Sequence, residues 1–536
     1  MDPRREILKR IIRTYRLLLG FTGRGLAYIG RNDWFELSVI HLNDFHARFE
    51  QTSSSSGTCY EGYESECVGG IARVYTATHQ LVNERPNAIF LNAGDSFQGT
   101  LWYNVHGWNV TGTFMNMLPT DATTLGNHEF DNRIAGLVPY LKMLESPVIV
   151  TNIDDSEEPD IQGLYQNSTI IERNGTKIGI IGVILSTTNT IASTEKLKFL
   201  DEVETVNAEA ERLKAQGIGI IIVLSHCGLE VDRVMAASCP NVDLIVGGHS
   251  HTFLYSGSSP DIEDTPEDEY PVEVIQAVSN RTVLIVQAYA FSKYLGNITV
   301  WFNEAGEVAD WEGNPIFLDG SIEQNPEVLA ALVPWQEEVD AQGLVVIGST
   351  KVRLYNNCRY GECNIGNFIT DAMVDTWMEF AENSTYWTYA ALACTNVGGI
   401  RASIEDTTGL ITYSDAVLAQ PFENTWDVLE LQGSSLVKWS GIKVSKNTIR
   451  TFFLLCRCRA CEIPVYEDVV LDEWYRIAIN SFLVDGGDGL SVFNTDKRNH
   501  EVGTVDIDSF VKYIGKMSPI TAGIEGRMIL DGTWSG

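Results

Sequence analysis

Positive charge is scarce in this chain. Lys and Arg number 38 against 71 Asp and Glu, for a net charge of −33 and a pI near 4.6. A general nucleic-acid binder needs a basic face to displace counterions from phosphate, so that class is excluded. The acidity reads as a means of keeping an exported protein soluble. Long apolar runs are also missing: no stretch of the length a bilayer needs is free of charges. Residues 7–21 are apolar but interrupted by Lys9, Arg10, Arg13 and Arg16, so a clean signal-peptide core is lacking. That run fits a helix lying on a membrane, a tail, or a wrongly joined first exon, the last being preferred. The end, Leu530-Asp531-Gly532-Thr533, shows no hydrophobic tail and so no lipid-anchor signal. There is no internal repeat and no low-complexity tract beyond residues 53–56.

A chain of 536 residues is too long for one ordinary core, and two large domains are expected. Of its ten cysteines, Cys59 and Cys67, Cys358 and Cys363, and Cys458 and Cys461 form close pairs, with Cys227 and Cys239 a looser candidate. Cys-x-x-Cys occurs once without a second half-site, which argues against a tetrathiolate zinc centre and for disulfides in an oxidising compartment. Cys394 and Cys456 are left over. Sequons at Asn109, Asn167, Asn174, Asn280, Asn297 and Asn383 support export.

Taken in order, Phe35–Leu42 is a β-rich apolar run that ends in Asn43-Asp44-Phe45-His46. Residues 70–83 have helical spacing. Residues 88–92 form the next strand and end in Gly94-Asp95-Ser96. A strand into Gly126-Asn127-His128-Glu129-Phe130-Asp131 comes after it. Further buried strands at 177–184, 217–224 and 242–246 lead to Ser225-His226 and to Gly247-Gly248-His249-Ser250-His251. Helical stretches alternate with them, so the class is α/β. Residues 1–34 are an unassigned tail, 35–325 the first domain, 326–343 a linker helix, and 344–530 the second domain.

Five of the nine histidines fall at those strand ends: His46, His128, His226, His249 and His251. Ligands of open α/β sheets gather beyond the carboxyl ends of the strands. Asp44, Asp95 and Asn127 would converge with the histidines on one site. Mixed N and O donors suit divalent transition ions. A pair of ions about 3.5–4 Å apart needs a bridging carboxylate, and Asp95, flanked by glycine, is the natural bridge. Asp131 can fix the imidazole of His128 so that its outer nitrogen faces a substrate. His41, His79, His106 and His500 read as ordinary core or surface residues.

The order of these motifs resembles the calcineurin-like metallophosphoesterase superfamily. The strings 94–100, 126–131 and Gln287-Ala288-Tyr289-Ala290-Phe291 are similar to the 5′-nucleotidase/apyrase family, over about residues 36–528. The resemblance implies an N-terminal metallophosphoesterase αββα sandwich joined by a helix to a C-terminal α/β nucleotidase domain. It implies two divalent ions, zinc in the first place, with manganese, cobalt, magnesium or calcium as alternatives. Asp44, His46, Asp95 and His251 would hold one ion; Asp95, Asn127, His226 and His249 would hold the other. In some relatives an amide replaces the residue at His251. His128 with Asp131 would stabilise charge developing on the phosphoryl group. The implied reaction is metal-dependent hydrolysis of nucleoside 5′-monophosphates to nucleoside and phosphate, at the cell surface or outside the cell. A homodimer through the C-terminal domain is expected too.

Selectivity should come from the second domain. Arg359 sits in the Cys358/Cys363 loop. Asn396-Val397-Gly398-Gly399-Ile400-Arg401 is a glycine-bearing turn suited to phosphate. Phe422 and Phe482 lie near turns, and Asp488 comes after Gly486-Gly487. The resemblance implies that Arg359, Asn396 and Arg401 contact phosphate, that Phe422 and Phe482 stack on the base, and that Asp488 binds the ribose. Two departures stand out. A segment that relatives carry after Lys438 is missing, and the run 447–457 is unlike theirs. Thr370 also stands where many relatives have a cysteine, leaving Cys394 without its usual partner. The alternatives are an apyrase acting on ATP and ADP, a hydrolase of cyclic nucleotides or UDP-sugars, and a catalytically impaired secreted nucleotide- or protein-binding protein.

Overall fold

The computed structural model describes residues 34–439 and 469–527, apart from 262–263, 379, 381–387, 391, 406–407, 423 and 485. The N-terminal tail up to residue 33, the departures expected after Lys438, Cys456, the Cys458/Cys461 pair and the chain end lie outside the described residues.

Strand β1 (Phe35–Leu42) shows why the first domain is layered. Side chains alternate along a strand. Leu37 and Val39 enter an apolar cluster shared with a second sheet, while Ile40 and Leu42 enter one shared with helices. Those helices are α1 (Ile71–Glu84) and α2 (Leu101–Met115). β1 pairs in parallel with β2 (Ile89–Asn92), which pairs in parallel with β3 (Ala122–Thr123). The second sheet is built from β4 (Ser168–Arg173), β5 (Thr176–Ile184), β6 (Ile220–His226), β7 (Leu244–Val246), β8 (Val272–Ile275) and β9 (Thr282–Val286). Its order is β8-β9-β7-β6-β5-β4, with β5, β6, β7 and β9 parallel. Every residue of β6 is buried, as expected of a central parallel strand covered on both faces. Helices α3 (Glu202–Ala215) and α4 (Leu229–Ser238) cover its outer side through Val206, Ala210, Leu213, Met235 and Ala236.

β9 belongs to the second sheet, yet β10 (Tyr294–Phe302) pairs antiparallel with β1 in the first. Residues 287–293 therefore cross from one sheet to the other. They cross at the end where β1, β2, β6 and β7 deliver their carboxyl termini.

Helix α5 (Pro326–Gly343) leads into the second half. Its start is well specified: the Asn325 side chain accepts from the backbone N–H of Glu327 and of Val328, and proline opens the first turn. It buries Val328, Leu332 and Val339, which join the same apolar cluster as α1 and α2. Beyond it, β11 (Leu392–Cys394), β12 (Trp426–Gln432), β13 (Trp474–Asn480) and β14 (Arg498–Glu501) form a mixed sheet in the order β11-β13-β12-β14. Helices α6 (Asn364–Met378) and α7 (Asp506–Met517) pack together against the same cluster through Phe368 and Phe510. Thr58 and Tyr60 of the first domain both donate to Asp415 of the second.

Disulfides join Cys59 to Cys67 and Cys358 to Cys363. Cys227 and Cys239 are not bonded, against expectation. Helix α4 has ten residues and lies between them, a span of about 15 Å that a disulfide cannot close. Both instead pack as small apolar groups in the core. Cys394 is buried and free. His41 is a core histidine, its Nε2 2.9 Å from Tyr270 Oη, and burial lowers its pKa to about 3.

Candidate active site

The parallel strands converge as the strand-end rule requires. Asp44 and His46 come after β1, Asp95 after β2, Asn127 and His128 after β3; His226 ends β6, and His249 and His251 come after β7. Three groups bring possible ligand atoms close together: Asp44, His46 and His251; His46, Asp95 and His128; Asp95, His226 and His249. Asn127 joins the last through its Oδ1, 2.8 Å from His249 Nδ1.

This convergence strains the backbone. Asp44, His46, Asp95, His249 and His251 have φ of 50°, 49°, 53°, 74° and 50°. Residues with a side chain seldom hold that left-handed conformation, at a cost of about 1–3 kcal/mol each. Neighbouring turns hold them there. Asp44 N–H donates to Gly94 O at 3.0 Å and His46 N–H to Asp95 O at 3.0 Å, while Phe291 N–H donates to Asp44 O at 2.8 Å. His249 N–H donates to both Asp44 carboxylate oxygens at 3.1 Å. Two positions require glycine. A Cβ at Gly126 would collide with the Asp95 carboxylate, and one at Gly248 would lie 2.9 Å from His226 Nδ1.

Glu129 is the residue that sequence reasoning passed over. It is buried, and its carboxylate accepts from the N–H groups of Asp95 (2.9 Å), Ser96 (2.7 Å), Phe97 (3.3 Å) and Gly126 (2.6 Å). It thereby ties the turn after β2 to the turn after β3. Burial and repulsion from Asp95 raise its pKa to about 7. The signal was its place inside the hexapeptide 126–131. Asn43 has a like role: its Nδ2 donates to Asp44 Oδ2 and Tyr289 O, and its Oδ1 accepts from Ala288 N–H.

The donor set fits divalent ions. His226 Nδ1 lies 2.7 Å from Ala93 O, so Nδ1 carries a proton and Nε2 is the atom turned to the site. That Nε2 is buried, faces Asp95 Oδ2 at 3.1 Å and makes no hydrogen bond. Two acceptors at that distance need a positive charge between them. Burial works to lower the His226 pKa, but Asp95 and Asp44 pull it up to about 10, so a proton on Nε2 is the charge that a divalent ion would displace. His46 repeats the pattern. Its Nδ1 is 3.2 Å from the carbonyls of Phe97 and Gln98, and its Nε2 is 3.0 Å from His251 Nε2. Asp95 Oδ2 also lies 3.7 Å from His46 Nε2, so one oxygen stands between histidines of the two outer groups.

His128 Nδ1 lies 2.8 Å from Asp131 Oδ2, which leaves Nε2 facing outward. Burial opposes its protonation, but the Asp131 and Asp95 carboxylates raise its pKa above the ordinary value. From the second domain, Phe422 stacks on His128 with ring centres 5.1 Å apart and planes 11° from parallel. Arg401 lies over Phe422 and donates from Nη2 to His46 Nε2 at 2.9 Å. Asn396 donates to Asp488 Oδ2 and accepts from Asn480 Nδ2, both at 2.9 Å. Asn480, at the end of β13, was not singled out from the sequence. Phe482 packs against Gly487 and the second domain's apolar cluster, and the described ring contacts do not bring it to Phe422. Arg359 pairs with Glu267 across the domains at 3.3 Å, apart from the other expected phosphate contacts.

Comparisons with known proteins agree with this arrangement. The calcineurin-like phosphoesterase family matches residues 37–253, and the 5′-nucleotidase C-terminal domain family matches residues 346–453. An apyrase of Tabanus yao is 43% identical over 92% of this chain and 93% of its own length. A 5′-nucleotidase of Bos taurus is 37% identical over 92% of this chain and 91% of its own. The crystal structure of a 5′-nucleotidase precursor from Thermus thermophilus superposes with a TM-score of 0.80 at 32% identity, covering 92% of this chain and 99% of that one.

The Glu129 clamp generates a prediction. In Glu129→Gln an amide NH₂ replaces one oxygen and faces backbone N–H donors. The expected cost is about 1–3 kcal/mol of stability, with weakened ion binding. Thermal unfolding together with metal analysis checks it.

Proposed function

The chain belongs to the 5′-nucleotidase family, and from that premise we propose that it hydrolyses nucleoside 5′-monophosphates to nucleoside and phosphate. It is a hydrolase acting on phosphoric ester bonds and uses divalent metal ions. The observation that carries the proposal is the Asp95 carboxylate standing between the histidines of two ligand groups, beside the His128–Asp131 pair.

Zinc suits this nitrogen-rich donor set best. Asp44, His46, Asp95 and His251 would hold one ion, and Asp95, Asn127, His226 and His249 the other. Such a pair supplies water of lowered pKa and neutralises the phosphoryl dianion. The chain's own groups do the rest. His128, whose protonated form Asp131 favours, donates from Nε2 to the phosphoryl oxygens as charge builds on them. Arg401 contributes a second fixed cation from the other domain. Asn396 and Arg359 are further phosphate contacts, Phe422 and Phe482 the base-stacking rings, and Asp488 the ribose acceptor. Since Phe422 now lies on His128, base stacking requires that ring to move, consistent with a family in which domain motion gates turnover.

Hydrolysis of ATP and ADP is the second reading, favoured by the 43% identity to an apyrase. The two disulfides support an extracellular or cell-surface location, and no helix among the described residues is long and apolar enough to cross a membrane. A homodimer through the second domain is part of the proposal.

Phosphate release from AMP, ADP and ATP by the purified chain separates the readings. Release from AMP alone supports the monophosphate reading; release from ATP and ADP favours the other; none from any of the three contradicts both. His128→Ala is expected to keep its metal content and lose about 10²- to 10³-fold in kcat. Unchanged kcat would remove His128 from the mechanism.

A further inference from the structure

Arg48 is a long charged side chain buried to 1% exposure. Its Nη1 donates to the carbonyls of His46 and Gly99, but Nε and Nη2 have no hydrogen-bond partner. No carboxylate pairs with it among the described residues. A guanidinium keeps its charge at neutral pH. An unpaired buried cation is costly, so its position calls for a compensating use.

Its compensation is the ring of Phe291, 4.6 Å from the guanidinium carbon. Phe291 lies on the segment that crosses between the sheets and has φ 61°. It touches three ligands at once. Its N–H donates to Asp44 O at 2.8 Å, and its ring centre is 5.5 Å from that of His46 and 5.2 Å from that of His251. Arg48 adds a grip on the His46 carbonyl. Neither residue shows a contact with Asn127, His226 or His249 among the described hydrogen bonds and ring pairs. Glu129 holds the other side: it binds the N–H groups of Asp95 and Gly126 and leaves the turn after β1 to others.

We propose that Arg48 and Phe291 are positioning residues for one ion only, the one assigned to Asp44, His46 and His251. The two ion sites then differ in their support, Arg48–Phe291 for one and the Glu129 side for the other, and meet at Asp95 and at the bond from His249 N–H to the Asp44 carboxylate. The inference rests on the ligand assignment of the proposed function. A change at Arg48 then weighs first on the affinity of that one ion.

The test counts ions per chain during chelator titration of the full-length protein, and repeats the count with cobalt, whose absorption reports each site's geometry. Wild type is expected to hold two ions. Arg48→Met should keep one at wild-type strength and release the other about 10- to 100-fold more readily, the usual effect of losing a supporting partner. Arg48→Lys, which keeps the charge, should recover part of the lost affinity. A purely structural role would not produce a one-ion loss that lysine rescues. Should Arg48→Met fail to fold, Phe291→Leu removes only the ring and carries the same expectation. Wild type with two ions beside a variant that loses both together, or neither, overturns the inference alone. Wild type that never takes up two ions overturns the ligand assignment, and the inference with it.

Discussion

The Asp95 carboxylate is buried beside the Nε2 atoms of His226 and His46, whose Nδ1 atoms point at backbone carbonyls, so positive charge has to be brought to the space between them. Much of the first domain derives from that constraint. The strands end where they do because their next residues must turn through left-handed backbone to aim at one point. Gly126 and Gly248 are obligatory because a methyl group at either would occupy the space of a ligand. Glu129 is buried among N–H groups because the turns after β2 and β3 must be held against their own strain. A bound cation would offset part of the stability given up at each turn.

The first domain is then a reaction centre with little room for choice, and the second domain approaches it as a separate body of side chains. Arg401 and Phe422 already touch His46 and His128, whereas Asn396, Asp488 and Asn480 form their own hydrogen-bonded group. Phosphoryl chemistry and nucleoside selection are thus supported by different layers joined through the Val328–Leu332–Val339 face of α5. The Thr58 and Tyr60 contacts to Asp415 fix how those layers meet here.

The sequence made the ligands legible because strand patterning is local. Phe35–Leu42 alternates cleanly between two apolar layers, and Asp44 and His46 stand just beyond its end. The same reasoning found the strands ending at His226 and before His249. It could not show that β9 and β10 lie in different sheets, since sheet membership depends on long-range pairing. It also missed the work of Glu129 and Arg48, whose partners are backbone groups that carry no residue identity. Spacing misled at Cys227 and Cys239, where a helix intervenes. The rings of Phe422 and Phe482 belong to the same domain, yet Phe422 lies on His128 while Phe482 packs against Gly487, a placement that depends on tertiary contacts and not on local spacing.

The most direct test of this account is the number of divalent ions held per chain by Asp95→Asn, measured beside its phosphate release from AMP. An amide keeps the size of the side chain but removes the charge shared by the two ligand groups. The account predicts a folded protein that has lost both ions and its turnover. A variant that still holds two ions and releases phosphate at the wild-type rate would contradict it.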